Sequence, residues 1–225
     1  MANEPKKSAD TRSSTITPMP PVTDFSRRCL EPLLIVISGP SASGKDTVVQ
    51  SMKEHGQEFR FVVTATTRER RPGEVHGRDY WFVTKAEFAR MVKEGELLEH
   101  AMVYGDEKGV PRTQVREALA SGRDVVMRLD VQGAETVRRL VPDALLIFIT
   151  VDSEEEMIKR LQERKTETAE ERAVRTATAR EELKRVEAFD YVIVNHDDRL
   201  EHTVDVVRAI IEAEHHRVRQ RKVSL

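Results

Sequence analysis

The tightest constraint on how this chain folds is a short loop between two elements of opposite geometry. Leu33-Leu34-Ile35-Val36-Ile37 is an unbroken apolar run, and Gly39-Pro40-Ser41-Ala42-Ser43-Gly44-Lys45 follows directly after Ser38. A strand with one wet face alternates apolar and polar residues; five apolar residues in a row predict a strand buried on both faces, as in a parallel sheet. Beyond the loop, Val48, Val49 and Met52 recur on one helical face. The loop therefore fits G-x-x-x-x-G-K between strand and helix. Its glycines let successive backbone N–H groups turn toward an anion, and the helix N-terminus adds partial positive charge. Lys45 then reaches the β- and γ-phosphates of a nucleoside triphosphate. Asp46, followed by Thr47, stands where Ser or Thr ordinarily offers Mg²⁺ a hydroxyl. Its carboxylate is expected to hold the metal directly or through water; the competing reading is a charge that caps the helix.

The later apolar runs are Val125-Val126-Met127, Ala144 to Val151 and Tyr191-Val192-Ile193-Val194, with helical patterns between them. Strands alternating with helices predict an α/β fold, a parallel sheet covered on both faces. Leu200, Val204, Val207 and Ile211 mark the apolar stripe of a final helix. From Phe59 to Val110 the rhythm breaks into short strand-like pieces, Phe61 to Ala65 and Tyr80 to Val83, and one helix near Phe88, Met91 and Val92. This predicts a small inserted α+β subdomain. The basic end, Arg217, Arg219, Arg221 and Lys222, reads as a solvated helix terminus.

Composition narrows the partners. Basic and acidic residues number 37 and 39, so a general nucleic-acid binder is disfavoured and any anion site must be built locally. No apolar run approaches the ~20 residues of a membrane helix. The single Cys29 cannot make an internal disulfide or a multi-cysteine zinc site, and the scattered histidines show no metal spacing. Residues 1–32 carry Pro20-Pro21 and much Ser and Thr without apolar period. They fit a disordered tail on a cytoplasmic protein or a segment directing the chain to a plastid or mitochondrion. Glu4, Asp10 and Asp24 weigh against the second reading. Monomer and homodimer are both open.

A second cationic cluster follows the loop: Thr64-Ala65-Thr66-Thr67-Arg68-Glu69-Arg70-Arg71-Pro72-Gly73-Glu74, then Gly77-Arg78-Asp79-Tyr80. Arginine's planar fork suits a phosphate dianion. A phosphate site beside a triphosphate loop is what a phosphotransferase needs to present an acceptor monophosphate. Read alone, the segment fits a solvated basic loop equally well.

With these motifs the chain resembles the guanylate kinases, from about Leu33 to Glu214. The resemblance rests on the loop, the Thr-Thr-Arg-x-x-Arg-x-Gly-Glu-x-x-Gly-x-Asp-Tyr pattern, Asp130-Val131-Gln132-Gly133, Arg164-Lys165-Thr166-Glu167-Thr168 and Val192-Ile193-Val194-Asn195. It implies a P-loop nucleoside-monophosphate-kinase fold: a core of residues 33–63 and 111–214, a GMP-binding insert of about 64–110, a helical lid of about 155–180 and a basic end at 215–225. It implies ATP, carried with Mg²⁺, as phosphoryl donor to GMP or dGMP. Arg68, Arg71 and Tyr80 would hold the acceptor phosphate, while Thr64, Glu99 and Asp130 would read guanine. Arg164 and Arg175 would be lid arginines, and Asn195 would lie near adenine. Two positions depart from the pattern. Lys108-Gly109-Val110 replaces Tyr-Gly-Ser/Thr, exchanging a phenol for an ammonium and losing a hydroxyl toward guanine. Arg128 replaces the first carboxylate of Asp-x-Asp, leaving Asp130. Two rivals stay open: a ribose-bisphosphate phosphokinase, which shares Gly-Lys-Asp, and a non-catalytic adaptor that binds phosphopeptides. Tyr80 and the Thr-Thr-Arg pattern disfavour the first; Lys45 and Arg164 disfavour the second.

Overall fold

A computed structural model describes residues 30–56, 58–103, 105–162 and 169–225, without the side chains of 169, 171 and 172. The apolar run before the loop forms β1 (Leu34–Ser38), every residue of it buried. Parallel neighbours flank it: β7 (Val125–Arg128) on one side and β8 (Leu145–Thr150) on the other. Then β2 (Arg60–Phe61) pairs with β7, and β9 (Tyr191–Val194) with β8. The order is β2-β7-β1-β8-β9. Alternate residues of the run serve opposite faces. Ile35 and Ile37 pack with α1 (Lys45–Glu54) and α7 (Leu200–His215) through Val48, Met52, Val204 and Val207. Leu34 and Val36 pack with α3 (Arg112–Ala120) and α4 (Val131–Leu140) through Val115 and Val137. Burial on both faces is why the run never alternates, each such side chain contributing about 1.5–3 kcal/mol.

The insert is a separate sheet of order β4-β3-β6-β5, built from β3 (Ala65–Thr66), β4 (Trp81–Phe82), β5 (Leu97–Val103) and β6 (Asp106–Pro111). Helix α2 (Lys85–Lys93) covers it, Phe88 packing on Ala65 and Leu97. The strand expected from Phe61 to Ala65 is two strands in two sheets. Val62 N–H still donates to the Val126 carbonyl, but Val63 N–H turns to the Gln114 side chain. The chain crosses to the second sheet at that point. Thr84 caps α2, its hydroxyl accepting from Glu87 N–H at 3.1 Å. Thr84→Ala should lower stability by about 1 kcal/mol, read as a shift in the urea midpoint at unchanged slope.

Two helices follow β8, α5 (Glu154–Gln162) and α6 (Ala169–Leu183). Met157, Leu161 and Ala179 close a small cluster on Ala42, so this pair packs directly on the glycine-rich loop. Of the basic end, Arg217, Arg219 and Lys222 are exposed as expected, but Arg221 is not. Helix α7 stops at His215, and the chain returns so that Arg221, 9% exposed, donates to Glu214 at 2.7 Å and to the Ala144 carbonyl at 3.0 Å. Burial pushes the Glu214 carboxyl up, but bonds from Arg221, Tyr191 and Arg217 outweigh it and hold the group at about 2. Val223 and Leu225 then pack on the core beneath α4. Cys29 and residues 1–29 as a whole lie outside the described residues.

Candidate active site

The loop turns where the first strand ends, and two glycines make the turn possible. Gly39 has φ +144°, and a Cβ there would sit 2.0 Å from the Ile149 carbonyl oxygen. Gly44 has φ +84°, and its Cβ would meet the Asn195 amide nitrogen at 2.2 Å. Neither space nor backbone tolerates a side chain at these positions. Lys45 Nζ donates to the Pro40 carbonyl at 3.1 Å, arching over the loop. Asn195, buried behind it, donates from Nδ2 to the Ser43 carbonyl and accepts from Thr203 Oγ1, each at 3.0 Å. Its amide thus ties the loop to α7, and it does not line the cleft in front.

That cleft, about 760 Å³, lies between the loop, the insert and α6. Of the loop residues, Ser41, Ala42, Gly44, Lys45, Asp46 and Thr47 line it, whereas Gly39, Pro40 and Ser43 do not. The insert contributes Thr64, Arg68, Arg71, Tyr80, Glu99 and Lys108; the ends of β7 and α4 contribute Arg128 and Asp130; α6 contributes Arg175. Arg175 reaches the loop, its guanidinium 3.4 Å from Ser41 Oγ. Arg164 lies outside the described residues.

On the insert side, Glu74 organises the arginines. It accepts from Arg68 Nη2 at 2.6 Å and from Arg71 N–H at 2.8 Å. Burial pushes its carboxyl up, yet these donors hold it below the usual carboxylate range. The Arg68 guanidinium also lies over the Tyr80 ring, 5.3 Å from its centre. Burial raises the Tyr80 phenol, keeping it a neutral donor. Arg70 is exposed and outside the cleft, so only two of the three arginines in this stretch face it.

Deeper in the cleft, Glu99 is 4% exposed. Burial and then the Asp130 charge push its carboxyl up to about 8, against the opposing pull of Lys108. Burial likewise brings the Lys108 ammonium down to about 8. Asp130 caps α4, accepting from Gly133 N–H at 2.9 Å, which fixes its carboxylate beside Glu99's side of the cleft. Val110 is fully buried among Leu98, Val115 and Met127. It belongs to the core and presents nothing to the cleft.

Sequence alone assigns no role to several lining residues, Arg128 and Glu182 among them. Arg128 registers there only as a departure from a pattern. Glu182, in the charged run at the end of α6, carries no signal at all; it is buried within reach of the Ser41 backbone.

A glycine-rich anion loop at the carboxyl end of the central parallel strand, facing a second arginine-built anion site across one cleft, defines a P-loop phosphotransferase. The comparisons narrow the class. The guanylate kinase family model matches residues 31–214. Guanylate kinase 2, chloroplastic/mitochondrial, of rice is 51% identical over 87% of this chain and 69% of its own length. The guanylate kinase of Nocardia farcinica is 51% identical over 72% of this chain and 85% of that one. The crystal structure of guanylate kinase from Anaplasma phagocytophilum superposes with a TM-score of 0.68 at 30% identity, covering 84% of this chain and 89% of that chain. The chain belongs to the guanylate kinase family.

Proposed function

We propose that this chain transfers the γ-phosphoryl group of ATP to GMP or dGMP, yielding ADP and GDP or dGDP. The observation that carries the reading is Glu99, a carboxyl buried in the same cleft as the phosphate loop. Guanine's N1–H and N2–H both donate, so one carboxylate meets two donors, whereas adenine presents an acceptor at N1. A pentose bisphosphate has no such edge, and a phosphopeptide would not need Lys45 and Arg175 on a triphosphate loop. Arg68, Arg71, Tyr80 and Lys108 hold the acceptor phosphate, with Thr64 and Asp130 beside Glu99 at the base. An oxygen of that phosphate attacks the γ-phosphorus, the bond to the β–γ bridging oxygen breaks, and ADP leaves. The nucleophile is already an anion at neutral pH, so no general base is required. Lys45 and Arg175 face the transferring group, where fixed cations count most once water is expelled.

Among the described residues no three His, Cys, Asp or Glu side chains cluster for a metal. The donor set fits Mg²⁺ nonetheless, since that ion is commonly bound by one or two carboxylates plus substrate phosphates, and Asp46 lines the cleft beside Lys45. When bound there it would supply charge neutralisation across the β- and γ-phosphates. For compartment, the plastid or mitochondrial reading of residues 1–32 is supported by the rice relative, named as chloroplastic/mitochondrial; a fluorescent fusion of that segment tests it. A coupled assay tests the main reading. With ATP and Mg²⁺, GMP should be used at least about 10²-fold better than AMP, UMP or ribose bisphosphate, because a buried hydrogen-bonding site rejects mismatched ligands strongly. Equal use of AMP would overturn it.

A further inference from the structure

Arg128 is a cleft-lining cation with no role in the reading above, on which the following rests. It sits at the end of β7, directly opposite Ile37 of the strand that feeds the phosphate loop. Its guanidinium lies 4.7 Å from the centre of the Tyr80 ring and donates to the Tyr80 side chain. On the other side it faces Asp46, 3.5 Å from Oδ1. One cation thus touches the donor loop and the acceptor-phosphate site together. The two contacts differ in quality. A well-made guanidinium–carboxylate bond is about 2.7–2.9 Å long, so the Asp46 contact is loose. The Asp46 side chain is 58% exposed and Arg128 22%, so the carboxylate can turn away while the guanidinium stays stacked. A loose, partly buried pair adds little stability, which leaves its placement to be explained by ligand binding.

We propose that Arg128 is a ligand of the acceptor phosphate, and that Asp46 withholds it until metal and donor nucleotide arrive. In the empty cleft Asp46 neutralises part of the Arg128 charge. When Asp46 turns to a metal carried on the donor phosphates, Arg128 is released to the acceptor phosphate beside Tyr80. The donor therefore raises affinity for the acceptor, and linkage requires the acceptor to raise affinity for the donor equally. The same exchange gives Arg128 a reason to accompany Asp46: a carboxylate next to a triphosphate needs a cation to hold it while no metal is bound.

The test is calorimetric titration of GMP and of guanosine into the full chain, with and without Mg²⁺ and an imido analogue of ATP. In the natural protein the analogue should tighten GMP about tenfold, within the usual range of coupling between sites, and leave guanosine unchanged. Arg128→Met should weaken GMP about tenfold or more with the analogue present, abolish the tightening, and spare guanosine, which has no phosphate. Asp46→Asn should tighten GMP in the absence of the analogue and shrink the coupling. Arg128→Lys, which keeps the charge and loses the fork, serves the same comparison if the methionine variant does not fold. Equal weakening of guanosine and GMP would make Arg128 structural and overturn the proposal, as would unchanged coupling in Asp46→Asn. Failure of the natural protein to bind either ligand would instead sink the guanylate reading itself.

Discussion

Lys45→Ala should lower turnover by about 10²- to 10³-fold, the cost of removing one preorganised donor to developing charge, and leave the fold intact. The side chain lines the cleft. Its bond is to the Pro40 carbonyl across its own loop, and helix α1 is anchored instead by Val48, Val49 and Met52. The expected pattern is a large fall in kcat for ATP and GMP together with unchanged far-ultraviolet circular dichroism and melting. Turnover near normal in a normally folded variant would move the transition-state cation elsewhere, Arg175 being next in line.

Glu99→Gln should cost GMP about 1.5–3 kcal/mol in kcat/KM, the range for hydrogen bonds to a charged group, with KM for ATP nearly unchanged. The pH dependence makes the assignment sharper. Burial holds the Glu99 carboxyl at about 8 in the empty cleft, so near neutral pH it is largely protonated, while guanine's N–H groups need an ionised acceptor. GMP binding must then release a proton, and affinity should rise as pH increases from 6 toward 8. It should fall again above that, because Lys108, also brought to about 8, loses the ammonium that meets the phosphate. Titrations in buffers of different ionisation enthalpy measure the proton released. Glu99→Gln should abolish that release and flatten the rising limb; an unchanged rising limb would assign it to another group. The raised carboxyl has a consequence for stability as well. The folded state keeps its Glu99 proton up to about pH 8 while the unfolded chain loses it near the ordinary value of 4.5. The Glu99 contribution to stability therefore declines between those values as pH rises.

Much of the architecture was legible because it follows from local rules. Leu33–Ile37 can be apolar throughout only if both faces are covered, and the structure covers them with two different clusters. The loop was legible because a glycine-rich turn between such a strand and a helix has few physical uses. The arginine-rich stretch was legible as an anion site, but not which of its cations face the anion: Arg68 and Arg71 do, Arg70 does not.

Other features depended on partners far along the chain. Phe61 and Ala65 look like one strand, yet whether a short apolar piece joins β7 or the insert depends on which edge offers free carbonyls. Arg221 looked like a solvated charge because its partners, Glu214, Asp190 and the Ala144 carbonyl, are brought together only by the return of the chain. Val110 is a core residue because its strand turns that face inward, and Asn195 braces the loop because α7 places Thr203 behind it. The sequence by itself determined the α/β class, the phosphate loop and the chemistry of the acceptor cluster, since backbone geometry, side-chain period and charge type are properties of neighbouring residues. Only the tertiary structure decided the proton held on Glu99, the place of Glu182 and the meeting of Arg128 with Asp46 and Tyr80. Those depend on desolvation and on distances of a few ångströms between segments far apart in the chain, which no local pattern encodes.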